Sequence, residues 1–467
     1  MTAVKEKKKY EVDLTEGPLL KKILAFAIPM MLSSILQSLY NAADIIVVGR
    51  FAGPQPLAAV GATGAIIALF VNLFIALSVG TSVTVSVAIG ARDHARIHRL
   101  VHTSIALALL CGAGITITGM VGAEWMLGLL DTPADILPMA TKYMRIYFAG
   151  SIFSMLYNFG GAVLRAAGDS RRPLYFLAVS GLLNVGLNLI LVICLGMDAD
   201  GVALATVASQ LLSALLVMIT LMRMPGDCHF SLRHMRFYRR ETLDILKTGL
   251  PAGLQSVVFN VSNSIIQKAI NSFDTLAIAG NTAAGNLDGF VYTGMYAMHT
   301  TAVTAVGQNV GAKKYKSLNK IIGICMLLVT LIGIGLGGLL LLFAEPLLSL
   351  YLPDTPEAIK YGVLRMSITT ATYFLCGWMD TLVGASRGMG NTLLPMIVSV
   401  VGVCGIRLGW VYTVFAAFHD LRVLYLSYTA SWAVTALLQL ILCLWIKRRL
   451  IRRAQEATPQ AERITTS

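Results

Sequence analysis

Charged residues are scarce in this sequence of 467 amino acids, and that scarcity identifies its solvent. Only 13% of the residues are Asp, Glu, Lys or Arg, whereas 56% are hydrophobic, and the mean hydropathy is +0.72. A water-soluble globule of this length needs far more polar surface than these residues can supply. We therefore predict an all-α polytopic membrane protein, with lipid as its principal surrounding.

The chain also lacks the sequence motifs of two common classes of protein, the phosphate-loop nucleotide-binding proteins and the zinc metalloproteases. Neither a GxxxxGK[ST] phosphate loop nor an HExxH zinc motif occurs in it, and the seven cysteines are scattered without metal-ligand or redox spacing. Residues 333–338 read GIGLGG, but they lie within an apolar span, where close helix packing explains glycines better than nucleotide binding does. These features predict a protein that is not an enzyme and holds no cofactor.

Apolar windows long enough to cross a bilayer as helices recur about twelve times, six in each half of the chain. The predicted spans are 21–48, 57–82, 99–122, 137–159, 173–195, 201–222, 244–268, 276–305, 321–343, 360–384, 393–417 and 423–446. The first residues are charged and contain no cleavable hydrophobic signal of their own.

The two halves repeat each other. Residues 165–173 read RAAGDSRRP and residues 387–395 read RGMGNTLLP, a separation of 387 − 165 = 222 positions. The same separation relates three more pairs, namely Pro29 and Pro251, Asn41 and Asn263, and Asn158 and Asp380. A duplication of this period in an apolar chain predicts two homologous six-helix bundles, an arrangement common among secondary transporters.

The net charge of +13 is distributed over alternate loops and both ends, and is not gathered into one patch. This distribution argues against nucleic acid as a partner and places both termini and the central linker in the cytoplasm. We expect a multi-pass protein of the cytoplasmic (inner) membrane. Its predicted domains are an N-terminal tail (1–20), an N-terminal lobe (21–223), a cytoplasmic linker (224–243), a C-terminal lobe (244–446) and a C-terminal tail (447–467).

The repeated motifs, together with VGRFAGPQPLAAVGATG at 48–64, resemble the multidrug and toxic compound extrusion (MATE) transporters, and the linker resembles that of their bacterial DinF-like branch. The resemblance covers residues 17–449. It implies two six-helix lobes that face each other across a central cleft and export organic cations in exchange for inward Na+ or H+. We expect the protein to act as a monomer.

Polar side chains form a stripe on the first span, and a second stripe repeats it on the seventh. The first comprises Ser34, Gln37, Asn41 and Asp44, and the second comprises Ser256, Asn260, Asn263 and Gln267. Their spacing places each set on one helix face, which should point to the protein interior or a wet cavity because lipid cannot solvate it. The alternative is that the amides only hold helices together.

Asp44 is the leading candidate for cation coupling. About 22 residues of helix separate it from Lys22, a rise of roughly 33 Å that places it in the outer half of the membrane. The family resemblance implies a coupling site of Asp44, Asn184, Asn188 and Thr206, which could hold Na+. Asn41, on the same stripe as Asp44, is a further candidate for this coupling site. Family members often carry a carboxylate where this chain has Asn188, so the choice between Na+ and H+ stays open. An exposed interfacial carboxylate is the other interpretation of Asp44.

The C-terminal lobe contains its own charged residues. We predict that Arg407 pairs with Asp380, with Asp288 as the competing partner, because a guanidinium in hydrocarbon needs a counter-ion. Such a pair could be a coupling site or a purely structural contact.

A substrate cleft is predicted from the remaining polar and aromatic side chains of these helices. Its candidates are Gln37, Asn260, Asn263, Tyr292, Met295, Tyr296 and His299. Aromatic faces and a thioether suit a flat organic cation, although a buried core stripe of the same residues is the alternative. Pro29 and Pro251 should bend the first and seventh spans and are candidate hinges.

The sequence thus predicts a secondary active antiporter that exports organic cations by rocking two lobes. The alternative is an exporter or flippase of a lipid-linked or endogenous metabolite with the same fold. A passive channel or a receptor would be a different class of protein.

Overall fold

The computed structural model describes residues 12–353 and 355–464, and within these ranges every regular element is helical. The beginning of the predicted N-terminal tail and the last three residues lie outside the described residues. The all-α fold expected from composition is confirmed.

Seven helices belong to the N-terminal half, and an eighth leads into the second half. They are α1 (Leu19–Val47), α2 (Pro54–Gly90), α3 (His94–Gly128), α4 (Leu137–Ala149), α5 (Ser151–Ala166), α6 (Arg171–Asn188), α7 (Ala199–Arg223) and α8 (Arg239–Ile270). Two π-helical segments, Val48–Ala52 and Leu189–Cys194, continue α1 and α6. Helix α8 begins inside the segment predicted as the linker.

The second half continues with nine helices. They are α9 (Thr275–Gly311), α10 (Leu318–Leu342), α11 (Ala344–Tyr351), α12 (Pro356–Thr369), α13 (Tyr373–Gly388), α14 (Leu393–Ser399), α15 (Ile406–Trp410), α16 (Ala416–Phe418) and α17 (Leu421–Ile464). Helices α14 to α16 form one continuous helical stretch, because the π segments Val400–Gly405 and Val411–Phe415 join them.

Among the described residues, eight helical spans are long and apolar enough to cross a membrane, and α4 with α5 makes a ninth that is bent by 41°. The other three predicted spans correspond to α8, α9 and the pair α12 and α13. Twelve spans are therefore consistent with the helices. The bend between α4 and α5 lies at Gly150, and the 3-10 turn Thr370–Thr372 separates α12 from α13.

The duplication is visible in the helix boundaries. Helices α6 and α14 begin at 171 and 393, and α7 and α17 begin at 199 and 421, so both pairs differ by 222. The chain divides into two compact units, the N-terminal unit Met1–Gly253 and the C-terminal unit Leu254–Ser467. The division falls inside α8, just after Pro251, and not at the predicted linker.

Glycines allow close helix packing in the N-terminal unit. A Cβ added to Gly80 of α2 would lie 2.2 Å from the carbonyl oxygen of Ile245, and one added to Gly249 of α8 would lie 2.8 Å from the carbonyl oxygen of Leu77. Such approaches are typical of membrane helices, whose association depends on van der Waals contact. The first half of α8 is thereby packed against α2.

The C-terminal unit uses the same device. A Cβ on Gly280 would lie 2.2 Å from the carbonyl oxygen of Ala358, and one on Gly384 would lie 2.5 Å from that of His299. In α10, Gly333 faces Phe374, and Gly337 faces Thr370. The prediction that the glycine-rich run serves helix packing is therefore confirmed.

Candidate functional site

In the N-terminal unit, Asp44 of α1 lies beside two helices that are distant in sequence. Asn188, at the end of α6, donates from its Nδ2 to Asp44 Oδ1 at 2.5 Å and to Asn184 Oδ1 at 3.3 Å. The Thr206 hydroxyl of α7 lies 3.2 Å from Asp44 Oδ2 and 2.9 Å from the carbonyl oxygen of Val202. The four predicted sodium ligands are thus neighbours in the fold, and we call them the Asp44 cluster.

The Asp44 cluster contains an unused acceptor. Asn184 and Asn188 are buried, and the Oδ1 atom of Asn188 has no hydrogen-bond partner among the described residues. A buried polar atom without a partner is costly and unusual in native proteins. Carboxylate, amide and hydroxyl oxygens together form a donor set that suits a hard cation.

The local backbone explains how the Asp44 cluster is shaped. The π segment Val48–Ala52 follows shortly after Asp44, and the π segment Leu189–Cys194 begins immediately after Asn188. Wide turns of this kind occur often at functional sites. Val47, Val48, Val192 and Val202 pack together beside the cluster, so one side of it is closed by apolar side chains.

Asp44 has no basic partner among the described residues. Its polar neighbours are Asn188, Thr206 and Asn184, and two tyrosines of α4, Tyr143 and Tyr147, lie within electrostatic range of its carboxylate. The nearest predicted companions on the same face, Asn41 and Gln37, are exposed. A half-buried carboxylate without a fixed cation is available to a mobile one.

In the C-terminal unit, Asp288 of α9 belongs to a buried ion pair. Arg365 of α12 places its Nη2 atom 3.3 Å from Asp288 Oδ2, and Thr370 donates to Asp288 Oδ1 at 2.5 Å. The Nη1 atom of Arg365 also reaches the side-chain oxygen of Asn281 at 2.9 Å. Asp288 is therefore fully engaged, and its partner is an arginine that the sequence analysis did not consider.

Arg407 corrects the predicted pairing. It donates from Nε to Ser431 at 3.1 Å and from Nη1 to Asn263 Oδ1 at 3.0 Å, and its guanidinium lies 4.3 Å from the ring centre of Tyr428. The described residues contain no ion pair between Arg407 and either predicted aspartate. The prediction was wrong because amide, hydroxyl and ring faces can solvate a buried guanidinium without a counter-ion.

Asp380 of α13 lies instead in the electrostatic range of Arg387, one of the duplicated motif arginines, and of Tyr292. Arg387 donates to Gln255 at 2.9 Å and lies 3.4 Å from His299 Nε2. The other ring nitrogen of His299 lies 2.7 Å from the Asp380 backbone carbonyl. Because a carbonyl only accepts, Nδ1 of His299 carries the proton and Nε2 accepts from Arg387.

The predicted substrate residues divide into two groups. Tyr292 and Tyr296 are each 38% exposed, whereas Met295 and His299 are buried. Met295 packs against Gly333 and Gly377, which places it in the helix-packing core. Asn260 and Asn263 of α8 are exposed.

Aromatic rings follow one another through the C-terminal unit. Tyr296 stacks on His299 with ring centres 5.2 Å apart, and Tyr296 is followed by Tyr292, Tyr373, Trp432 and Tyr428 at centre distances of 5.1 to 6.4 Å. Arg407 lies at the far end, over Tyr428. We call the rings from His299 to Tyr428 the aromatic row. Of its members, Tyr292, Tyr296 and His299 were predicted from the sequence.

One short sequence resembles a hydrolase motif without its structural context. Residues 384–388 read GASRG, which fits the GxSxG pattern of serine hydrolases. That motif functions on a strained strand-to-helix turn, whereas Ser386 is buried within the regular helix α13. The segment therefore matches the hydrolase motif in sequence but not in structure.

The matching family model settles the class of the protein. The model named MatE matches residues 29–190 and 251–413. The two matches begin 251 − 29 = 222 positions apart, the separation found within the sequence. The chain belongs to the MatE family. It is therefore a multi-pass membrane protein of a transporter family, and the expectation that it is no enzyme agrees with this class.

Curated relatives of this chain carry transporter names. The probable multidrug resistance protein YpnP of Bacillus subtilis is 27% identical over 392 residues, covering 83% of this chain and 87% of the relative. YoeA of the same organism, also named a probable multidrug resistance protein, is 25% identical and covers 92% of this chain and 95% of the relative. A protein of Shewanella oneidensis named FAD transporter is 21% identical, covering 84% of this chain and 86% of that protein.

Solved structures of similar proteins support the fold of this chain. An outward-facing multidrug resistance MATE family transporter superimposes with a TM-score of 0.88 at 24% identity, covering 96% of this chain and all of that one. Likeness at this identity speaks for the fold alone. The narrower resemblance to the DinF-like branch stays a prediction.

Proposed function

We propose that this protein is a secondary active antiporter that exports organic cations in exchange for inward Na+ or H+. The observation that carries the proposal is the Asp44 cluster, in which a carboxylate without a basic partner lies among oxygen donors inside three apolar helices. A carboxylate held in this way is expensive in a membrane, and such groups commonly serve ion or proton pathways.

The chemistry of the Asp44 cluster is compatible with either coupling ion. Na+ would be held by Asp44, Asn184 Oδ1, Thr206 and the unused Asn188 Oδ1 after a rotation of that amide, while H+ would reside on Asp44 alone. Either ion neutralises the carboxylate, so its arrival and departure change the charge of the site by one unit. That change in charge can shift the equilibrium between the inward-open and outward-open conformations.

The aromatic row supports an organic substrate. Tyr292 and Tyr296 present ring surface at the exposed side of α9, and ring faces attract organic cations through their quadrupoles. Alternating access by rocking of two lobes, with bending at Pro29 and Pro251, completes the proposal. Multidrug names among the relatives agree with this substrate class.

The proposal is tested by transport in proteoliposomes with ethidium as the flat organic cation. Na+ and H+ gradients are imposed separately, each with the other ion at equilibrium. We expect ethidium movement driven by one of the two gradients and absent without either. Equal flux with and without an ion gradient would identify a passive channel and contradict the proposal.

Arg407 favours a second candidate function, the export of a flat anionic metabolite. Its guanidinium is buried against Tyr428, and its hydrogen-bond partners among the described residues are neutral, so none of them cancels its positive charge. An anion with an aromatic ring could stack on the aromatic row beside it. The relative named FAD transporter gives a probe, since FAD that competes with ethidium or moves in its place would favour this candidate.

We further propose that the protein lies in the cytoplasmic (inner) membrane with both termini in the cytoplasm and works as a monomer without a cofactor. The support is the concentration of Lys and Arg in the linker and alternate loops. Single cysteines at Arg239 and Lys314 in a cysteine-free protein should label from the cytoplasmic side only. Labelling of either from outside would contradict this orientation.

A further inference from the structure

Histidine is concentrated in one small region of the protein. Five of the seven histidines lie near the start of α3 or in the segment that follows α7, namely His94, His98, His102, His229 and His234. The segment 224–238, which we call the docked linker, packs on α3. His94 anchors it through Asp227 at 2.5 Å. The proposed transport function uses none of these histidines.

Three of the five histidines converge. His98 and His102 are four residues apart on α3 and so lie on the same helix face. His234 ends the 3-10 turn Leu232–His234 of the docked linker. Each residue offers a ring nitrogen within 4.8 Å of those of the other two, and the ring centres of His98 and His234 are 5.7 Å apart.

The orientation of His102 is that of a metal ligand. Its Nδ1 atom lies 2.8 Å from the backbone carbonyl of His98, so Nδ1 carries the proton and Nε2 carries the lone pair. Metal-binding histidines are commonly held in this way, with the other ring nitrogen donating to a carbonyl. In this structure Nε2 accepts the backbone N–H of Ser231 at 3.1 Å.

We propose that His98, His102 and His234 form a binding site for Zn2+, with Nε2 of His102 as one ligand. Zinc–nitrogen bonds of about 2.0–2.1 Å require tetrahedral ligand nitrogens roughly 3.3 Å apart, which is closer than the present limit of 4.8 Å. His98 is half-buried and His234 is exposed, so both rings have room to turn inward. Nε2 of His102 would then bind the ion and no longer accept from the Ser231 N–H. A water molecule would be the fourth ligand of the zinc ion.

Charge near the three histidines is mixed, since Arg99 and Asp227 both lie within electrostatic range of His98, and Arg233 and Arg236 flank His234 in the docked linker. The two arginines of the same helix turn are already paired, Arg99 with Glu241 at 2.6 Å and Arg96 with Asp244 at 3.0 Å. Three neutral imidazoles favour Zn2+ over Mg2+ and Ca2+, which prefer oxygen ligands. A bound ion would fasten the docked linker to α3 through the ligands His98 and His102 on α3 and His234 on the linker, in place of the hydrogen bond between Ser231 and His102.

The site is tested with purified protein from which any histidine tag has been removed. Zn2+ binding is measured by calorimetry, and Co2+ is used as a spectroscopic probe whose visible absorption reports tetrahedral nitrogen ligands. We expect one ion per chain, undisturbed by excess Mg2+. His98→Ala, His102→Ala and His234→Ala should each weaken binding at least about tenfold.

The matched control is His419→Ala, which removes an exposed histidine from the C-terminal unit and should leave Zn2+ affinity unchanged. Absence of binding, or equal binding by the triple alanine variant, would overturn the proposal. If a variant fails to fold, wild-type protein decides the question by diethyl pyrocarbonate labelling. Zn2+ should protect His98 and His234 but not His419, and equal reactivity of all three with and without Zn2+ would refute the site.

Discussion

The two units of this protein share a backbone plan but differ at the positions of the Asp44 cluster. Adding 222 to Asp44, Asn184, Asn188 and Thr206 gives Ile266, Ile406, Trp410 and Tyr428. Ile266 is buried in a hydrophobic cluster against which Trp410 and Tyr428 pack. The same helical scaffold thus supports an oxygen-lined site in one unit and a hydrophobic core in the other, which shows that the chemistry depends on side chains and not on the fold.

The aspartates of the two units also differ in their partners. Asp288 in the C-terminal unit is paired with Arg365 and bonded by Thr370, whereas Asp44 in the N-terminal unit is bonded only by neutral groups. Because the Arg365 guanidinium already neutralises Asp288, this carboxylate is not available to a transported cation. We therefore propose that the N-terminal unit carries ion coupling and that the pair in the C-terminal unit stabilises the structure.

The largest expected effect is on transport. Asp44→Asn removes the carboxylate but keeps its size and hydrogen-bonding capacity, so we expect a folded protein in which gradient-driven ethidium export is abolished. Asp380→Asn is the matched change in the C-terminal unit and should retain export driven by the same ion. Uptake into inverted proteoliposomes measures both, and export that survives in Asp44→Asn with unchanged ion dependence would reverse the assignment.

The next effect is on stability and concerns the pair in the C-terminal unit. Arg365→Leu leaves Asp288 charged and uncompensated, at an expected cost of about 3 to 5 kcal/mol. Adding Asp288→Leu should restore much of the loss, because the buried charge is then gone. Thermal unfolding of the three variants in detergent measures the coupling, and losses that simply add would show that the pair contributes nothing.

A smaller effect is expected from Thr206→Val, which removes one hydroxyl from the Asp44 cluster at nearly constant volume. That hydroxyl has two acceptors within reach, Asp44 and the Val202 carbonyl, so only part of one hydrogen bond is lost. We expect apparent affinity for the coupling ion to fall by up to about tenfold, corresponding to roughly 0.5–1.5 kcal/mol. A complete loss of coupling would mean that Thr206 is an indispensable ligand.

The smallest effect is expected at the counterpart of Asp44. Ile266→Val removes one methylene from the hydrophobic cluster and should cost about 0.5–1.5 kcal/mol in stability. Ion dependence and substrate affinity should not change, because no polar group is altered. Thermal unfolding and ethidium transport measured on the same preparation check this, and altered ion dependence would place part of the coupling in the C-terminal unit.

Much of the architecture could be predicted from the sequence. The 222-residue repeat and the apolar periodicity both follow from local patterns, because a helix in lipid must be apolar on its exposed faces over a fixed length. The bend at Gly150 and the 3-10 turn at Thr370–Thr372 were not predicted, because a span of the right length does not reveal where its regular hydrogen bonding is interrupted.

The partners of charged side chains were harder to predict. The neighbours of Asp44 were named correctly as a set, since the family resemblance supplied them, although their coupling role stays a prediction. Arg407 was paired with Asp380 on charge alone, whereas it is bound by Asn263, Ser431 and the ring of Tyr428. Neutral partners of this kind depend on how helices rotate against one another, which hydropathy does not encode.

The most direct test of the account is ion binding in the absence of transport, measured by thermal stabilisation of the purified protein. Na+ is titrated against choline at fixed pH, and the pH is then varied without Na+, for wild type, Asp44→Asn and Asp380→Asn. Ligand present at a hundred times its dissociation constant stabilises the state that binds it by about 2.7 kcal/mol. We predict that wild type and Asp380→Asn are stabilised alike by one of the two ions and that Asp44→Asn is not. Full stabilisation of Asp44→Asn together with its loss in Asp380→Asn would contradict the assignment of ion coupling to the N-terminal unit.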